Sequence, residues 1–260
     1  MDLQLTGKTA VVTGAGRGIG LAITRTLAAE GVQVIGAARR ISAELARTAS
    51  TAIAVDLATP TGPAQLIHSV LDRYHDIDIL INNVGGGDPA DLTTFDGYDD
   101  TQWQRTFELN FFSAVRACRA ALPSLLRRRG VIVNISSVTA RLPHQGPVPY
   151  TTAKAALTAF GKALAEEYAD RGVRTVTVSP GTTRTGIWTD SDGFGATLAA
   201  AQGISHDELL ADLAAASGIG SGELVEPDHV ASLVAYLASP LALSATGHDY
   251  LVDGGGLKTA

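Results

Sequence analysis

Three side chains in one stretch of the chain have the types and spacing needed to move a proton. Twelve residues separate Ser137 from Tyr150, and Lys154 follows Tyr150 at i+4 in Tyr150-Thr-Thr-Ala-Lys154. On a helix, i and i+4 share a face, so phenol and ammonium would lie side by side, with the hydroxyl arriving from the end of the preceding strand. A phenol of pKa about 10 is a poor acid at neutral pH. A fixed cation within ~4–6 Å favours the phenolate and lowers that pKa, towards the range of efficient general acid–base catalysis. Ser137 could hydrogen-bond a substrate oxygen as charge develops on it. Ser136 is the rival hydroxyl; the twelve-residue gap favours Ser137, and alternation along a strand turns Ser136 to the opposite face. These parts hand a proton to a carbonyl oxygen. The hydride must come from elsewhere.

The elements that would position them alternate regularly. Apolar, β-branched runs predict strands at Thr9–Thr13, 33–37, 52–55, 77–81, Val131–Ile135, 174–178 and 248–252. Between them, apolar residues at helical spacing predict helices at 19–30, closed by Gly31, and at 63–74, 103–126, 150–169 and 230–238. Strands alternating with helices imply an α/β fold, a Rossmann-type doubly wound parallel sheet of about seven strands with helices on both faces. Continuous apolar strands agree with burial on both sides. No linker or repeat divides the chain, so residues 1–260 read as a single dinucleotide-binding and catalytic domain. Residues 181–225, rich in Gly, Ala, Ser and Thr, read as a substrate loop or lid with one short helix around 207–216.

Composition narrows the function classes. With 45% hydrophobic and 18% charged residues in 260, the chain can bury a large core. No apolar run approaches the 18 or so residues of a membrane span, and the N-terminus lacks the pattern of a signal peptide, so a cytoplasmic protein without membrane contact is expected. Cys118 is the one cysteine, which leaves no intrachain disulfide and no multi-cysteine metal site. Net charge is −6, and the basic run Arg127-Arg128-Arg129 reads as a solvated helix end. Nucleic-acid binding has little support.

Thr13-Gly14-Ala15-Gly16-Arg17-Gly18-Ile19-Gly20 joins the first strand to the first helix. Glycines there let the backbone turn tightly and approach a pyrophosphate, which the helix N-terminus would bind. The spacing is GxxxGxG rather than GxGxxG. Together with Asn82-Asn83-Val84-Gly85, Asn110, Ser137, Tyr150-xxx-Lys154, Pro180-Gly181 and Val252-Asp253-Gly254-Gly255, it resembles the compact, single-domain branch of the short-chain dehydrogenase/reductases over nearly the whole chain.

The resemblance implies roles. Tyr150 is the general acid in reduction and the base in oxidation; Lys154 lowers its pKa and binds the nicotinamide ribose; Ser137 orients the substrate carbonyl. Asn110 holds a water in a proton relay, from a local irregularity in the long helix. Gly14, Gly16, Gly18, Ile19 and Gly20 bind the cofactor, Asp56 and Leu57 meet its adenine, and Asn83 and Gly85 line the cleft. Pro180, Gly181, Thr182, Thr183 and Thr185 receive the nicotinamide end. On the residues alone, Asn110 could be an interior amide and Asp56 a helix or turn cap, readings that stand well behind the functional ones given the residues around them.

An acidic residue usually ends the second strand where NAD is selected. Here Ala38 holds that position, with Arg39 and Arg40 next. Arg39 offers a planar fork suited to phosphate, Arg17 a second basic group, and Arg40 reads as solvated surface. NADP(H) is therefore favoured over NAD(H), and the expected reaction is reversible reduction of a small-molecule ketone or aldehyde. A 3-oxoacyl thioester reductase, an NAD-dependent alcohol dehydrogenase, and a nucleotide-sensing protein without chemistry are the alternatives.

On the substrate side, Gly86 and the residues to Thr93, the 138–148 stretch with Val138, Arg141, Leu142 and His144, and Ile187, Trp188 and Phe194 are candidate walls. His144 could bind substrate or face solvent, and Trp188 and Phe194 could cap an apolar substrate or pack the lid. Arg141 and Arg184 stand isolated, so no basic cluster suggests a carrier protein. Family resemblance and two long helices with broad apolar faces suggest a homo-oligomer, a tetramer or a dimer.

Overall fold

The apolar runs form seven strands, all parallel: β1 (Thr9–Thr13), β2 (Gln33–Ala38), β3 (Thr51–Ala54), β4 (Ile79–Asn82), β5 (Val131–Ile135), β6 (Arg174–Pro180) and β7 (Asp249–Val252). The computed structural model describes residues 1–87 and 93–258. Among the described residues, ten α-helices connect and cover the strands: α1 (Gly18–Ala29), α2 (Ala43–Thr48), α3 (Gly62–Tyr74), α4 (Asp100–Phe107), α5 (Ser113–Arg128), α6 (Val148–Tyr168), α7 (Gly186–Thr189), α8 (Phe194–Gln202), α9 (His206–Ala216) and α10 (Pro227–Ala238).

Successive strand residues point to opposite faces, and both faces are apolar. Val11, Ile35, Leu80 and Ile132 meet Leu66, Ile67 and Val70 of α3 and Ala117, Ala121 and Leu125 of α5. Val12, Val34, Ile81 and Val133 meet Ile23 and Leu27 of α1 and Val230 and Val234 of α10. Each fully buried Val, Leu or Ile contributes roughly 1.5–3 kcal/mol, so this two-sided burial is what fixes strand register.

The strand order is β3-β2-β1-β4-β5-β6-β7. The chain therefore winds outward from β1 to β3, then returns to β1's other edge at β4. Open parallel sheets bind ligands at such a reversal, beyond the carboxyl ends of the strands. The glycine turn follows β1 and Asn83-Val84-Gly85 follows β4, so both motifs meet at this crevice.

The structure corrects the sequence reading in three places. The expected helix at 103–126 is two α-helices, α4 and α5, joined by a π-helical turn at Glu108–Phe112 that contains Asn110. Residues 181–225 carry three helices rather than one, because Leu209, Leu213, Ile219 and Leu224 bury a small core of their own, against which Trp188 packs. Helix α2 was not anticipated. Six residues are too few to hold a helix alone; Ser42 caps it through Leu45 N–H and Leu45 is fully buried.

Candidate active site

The glycine turn is built for close approach. Gly14 and Gly18 have φ of +67° and +54°, a region that costs any residue with a Cβ. At Gly20 a Cβ would lie 2.3 Å from Gly14 O. Asn83 braces the turn from across the crevice: its Nδ2 donates to Thr13 O (2.8 Å), and its backbone N–H and that of Val84 donate to Thr13 Oγ1 (2.9 and 3.0 Å). Ser42 Oγ donates to Gly16 O at 3.0 Å, fixing the opposite side. Sequence reasoning missed Ser42; its place as a helix N-cap just after Arg39-Arg40 was the available signal. Arg17, the N-cap of α1, places no side-chain hydrogen bond on the helix, so the first-turn N–H groups face the crevice as donors for an anion.

A cleft of about 870 Å³ runs along these elements. Asp56 and Leu57 line one end, Arg39 and Arg40 its edge, and Gly14, Gly16, Arg17, Gly18, Ile19 and Gly20 its floor. Asn83, Gly85, Gly86, Tyr150, Lys154, Thr185 and Ile187 line the other end. Its length and the donor set fit a dinucleotide: amide donors in the middle for pyrophosphate, guanidinium groups beside one ribose position, and an ammonium at the far end. Asp56 also accepts from Ala58 N–H at 2.9 Å, a turn role of its own. Arg17 is largely exposed, with Nη1 3.8 Å from Asp190 Oδ2 just after α7.

At the catalytic end, Tyr150 and Lys154 lie on α6, one turn apart, and Ser137 follows β5 as the N-cap of a 3₁₀ turn, Val138–Ala140. Lys154 Nζ donates to Ile135 O (2.9 Å) and sits 5.8 Å from the centre of the Tyr150 ring. Ser136 turns to α6, where its Oγ donates to Lys154 O at 3.0 Å and pairs with Thr158 Oγ1. Asn110, 1% exposed, uses its amide on backbone: Gly86 N–H donates to Oδ1, and Nδ2 donates to Gly86 O and Thr106 O. A Cβ at Gly85 would meet Asn110 Oδ1 at 2.8 Å and Lys154 Nζ at 2.9 Å. Both groups therefore converge on Gly85.

The expected lowering of the Tyr150 pKa is not what this geometry produces. Burial raises it, and the Ser137 hydroxyl opposes that rise. Lys154 lies beside the ring and bonds Ile135 O, so its charge is not spent on the phenol oxygen. Burial brings Lys154 itself down to about 8, and an anionic group placed beside it would raise that value again.

Other predicted residues sit apart from the cleft. Gly181, Thr182 and Val138 line a second, much smaller cavity with Ser217 and Asp253. Thr182 Oγ1 donates to Ser217 Oγ (2.9 Å), Thr183 Oγ1 returns to Gly181 O, and Pro180 ends β6. His144 is exposed on a 3₁₀ turn. Trp188 stacks edge-on against Phe194, and its carbonyl pairs with His206 Nε2, so both aromatics pack within residues 181–225. Of the stretch after Gly85, Asp88–Leu92 lies outside the described residues. Among the described residues, no His, Cys, Asp or Glu group could hold a metal ion, and no helix is long and apolar enough to cross a membrane.

Comparison with known proteins agrees with the geometry. The short chain dehydrogenase family model matches residues 8–193. The 3-oxoacyl-(acyl-carrier-protein) reductase FabG of Vibrio cholerae is 32% identical over 259 residues, covering 97% of this chain and 98% of its own. The 3beta-hydroxysteroid dehydrogenase 1 of Eggerthella lenta is 32% identical, covering 97% and 94%. The L-sorbose reductase of Gluconobacter frateurii, solved with NADPH and L-sorbose, superposes with a TM-score of 0.91 at 32% identity over 100% of both chains. A glycine turn and a Tyr150–Lys154 pair lining one cleft, with Ser137 outside that lining, thus have a family to go with them: the chain belongs to the short-chain dehydrogenases, and it is an NAD(P)-dependent oxidoreductase that interconverts carbonyl and alcohol.

Proposed function

We propose that this enzyme reduces a free ketone of moderate size and mixed polarity with NADPH, using Tyr150 as the proton donor. The observation that carries this reading is the single cleft that has Arg39 at one end and Tyr150 with Lys154 at the other. A bound nicotinamide cofactor supplies the hydride. The chain's own residues handle the proton. Ser137 hydrogen-bonds the carbonyl oxygen as negative charge grows there, and Tyr150 Oη–H passes its proton to that oxygen. The phenolate left behind is stabilised by the Lys154 ammonium. Asn110 holds Gly86 in place, and through it the backbone beside the reacting centre. Residues 181–225 act as the substrate lid of one catalytic domain spanning the chain, and the enzyme works as a homo-oligomer.

For the cofactor, Ala38 places no carboxylate against a 2′-phosphate, while Arg39 and Arg17 can both reach one. That NADPH is the cofactor in the L-sorbose reductase structure supports this choice. For the substrate, Arg141 pairs with Asp249 at 3.0 Å and Arg184 with Glu226 at 2.7 Å. Each already shares its charge with a carboxylate, and neither has a basic neighbour in sequence to form a carrier site, which favours a free ketone over a carrier-bound thioester.

The test is a panel of ketones, sugars and one β-ketoacyl thioester, assayed with NADPH and NADH for wild type and Tyr150→Phe. NADPH-dependent reduction of a free ketone that collapses in Tyr150→Phe, with cofactor binding retained, is the expected result. A clear preference for NADH or for the thioester, or an undiminished Tyr150→Phe, would overturn it.

A further inference from the structure

Ser137 has one hydroxyl hydrogen and two lone pairs, and in a proton-transfer site its direction matters. A Ser137 that accepts from Tyr150 would compete with the substrate for the proton that Tyr150 must deliver. A Ser137 that donates leaves the Tyr150 hydrogen for the substrate and adds its own. Thr139 occupies the accepting side: its Oγ1 donates to Ser137 Oγ at 2.9 Å and its backbone N–H at 3.2 Å. The Thr139 methyl faces Gly146, where an added Cβ would meet it at 3.5 Å, an ordinary contact distance. Thr139 lies on the 3₁₀ turn that Ser137 caps, so the two move as one unit. Lys154, the charged group beside the Tyr150 ring, is bonded to Ile135 O and does not reach this pair.

We propose that Thr139 is a positioning residue: by filling both lone pairs of Ser137 Oγ it makes Ser137 an obligatory donor of its one hydrogen, to the Tyr150 oxygen before substrate binds and to the substrate oxygen afterwards. The assignment rests on the reading of Ser137 and Tyr150 given above. Thr139→Val keeps the methyl and the backbone N–H but frees one lone pair, so the loss is partial. The expected fall in kcat is about tenfold, below the 10²–10³ of removing a charge-stabilising donor outright, with KM for the cofactor unchanged. Thr139→Ser, which restores the hydroxyl, restores kcat. In a Ser137→Ala background, Thr139→Val has no further effect, whereas a merely structural residue would still lower activity there.

A second readout needs no substrate. With fluorotyrosine in place of the six tyrosines, and the Tyr150 resonance assigned by its absence in Tyr150→Phe, fluorine NMR follows the ionisation of that phenol in protein without added cofactor. Thr139→Val is expected to move it to higher pH, because Ser137 no longer donates steadily to the phenol oxygen, and Thr139→Ser is expected not to. No shift, an equal loss of kcat in the Ser137→Ala background, or failure of Thr139→Ser to rescue would overturn the assignment. Should Thr139→Val not fold, Thr139→Ala poses the same question. If the wild type reduces no carbonyl compound, the proposed function fails, and the titration still decides on Thr139.

Discussion

Gly85→Ala isolates how tightly the catalytic groups are spaced. Gly85 does not have a positive φ, so the backbone accepts alanine and the new methyl alone decides the outcome. That methyl would stand 2.8 Å from Asn110 Oδ1 and 2.9 Å from Lys154 Nζ, each well inside the ~3.5 Å at which non-bonded atoms attract. One of them must yield. Lys154 Nζ ends a flexible chain, but moving it breaks its bond to Ile135 O and shifts the ammonium away from Tyr150. Asn110 is locked by three backbone hydrogen bonds, two of them to Gly86. Losing those two at about 1 kcal/mol each costs about 2 kcal/mol of stability. An ångström of misplacement in a reacting group costs on the order of 10²-fold in rate. Urea unfolding and steady-state kinetics on the best ketone read the two quantities separately. If lysine moves, losing its charge-assisted bond to Ile135 O costs about 1.5–3 kcal/mol, kcat falls and cofactor binding weakens; if the amide swings, stability and kcat fall while the lysine keeps its hold on the cofactor. An alanine variant with native stability and native kcat would refute the idea that Asn110 and Lys154 are packed against this backbone.

Three further outcomes are expected. Arg39→Ala should raise KM for NADPH about tenfold or more, the worth of a charge-assisted hydrogen bond, and leave KM for NADH within about twofold; equal effects on both would remove Arg39 from phosphate recognition. Lys154→Met should abolish catalysis yet stabilise the fold at pH 7 by about 2 kcal/mol, since Lys154 is 3% exposed and its pKa falls to about 8. The sign follows from proton counts: between about 8 and the ordinary lysine value the unfolded wild type binds the extra proton, so wild-type stability rises with pH across that window and the advantage of Met shrinks. Chemical denaturation at pH 7 and pH 9.5 checks it. Arg141→Ala should cost about 1–2 kcal/mol, less than a fully buried pair, because Asp249 is 7% exposed and keeps only Ser179 Oγ while Arg141 is itself 42% exposed; adding Asp249→Asn should recover most of that loss in the same unfolding assay.

The strands were legible because two-sided burial leaves an unmistakable record: Val11-Val12 and Ile79-Leu80-Ile81 carry no polar interruption. The glycine turn, Ser137, Tyr150 and Lys154 were legible because each is a residue type tied to a spacing. What escaped has no such record. The resemblance implies an irregularity at Asn110, where the π-turn lies, but apolar spacing alone reads 103–126 as one continuous helix and gives no sign of it. Helix α7 has four residues and α8 is mostly Gly, Ala and Thr, so their patterning resembles a loop until Leu209 and Leu213 give them a surface to pack on. The directions of Ser137 and Lys154 were also hidden, since both bond to neighbours, Thr139 and the Ile135 carbonyl, that spacing does not single out.

The stem of the lid has a consequence for how this enzyme could acquire new substrates. Thr183 and Val225 form a parallel bridge, and Arg184 and Val225 N–H groups bond to the carbonyls of Val225 and Thr182. The segment thus departs from and returns to one point of the framework. A stretch with adjoining ends behaves thermodynamically as an insertion: the closure entropy grows only as the logarithm of its length, about 0.6 kcal/mol for each doubling. With its own small core, the segment can be lengthened, shortened or exchanged for another without re-pairing any strand of the sheet. With 181–225 as the substrate lid proposed above, exchanging 188–224 while leaving the cleft-lining Thr185, Gly186 and Ile187 in place is accordingly the route by which this framework would change its choice of molecule while keeping its chemistry.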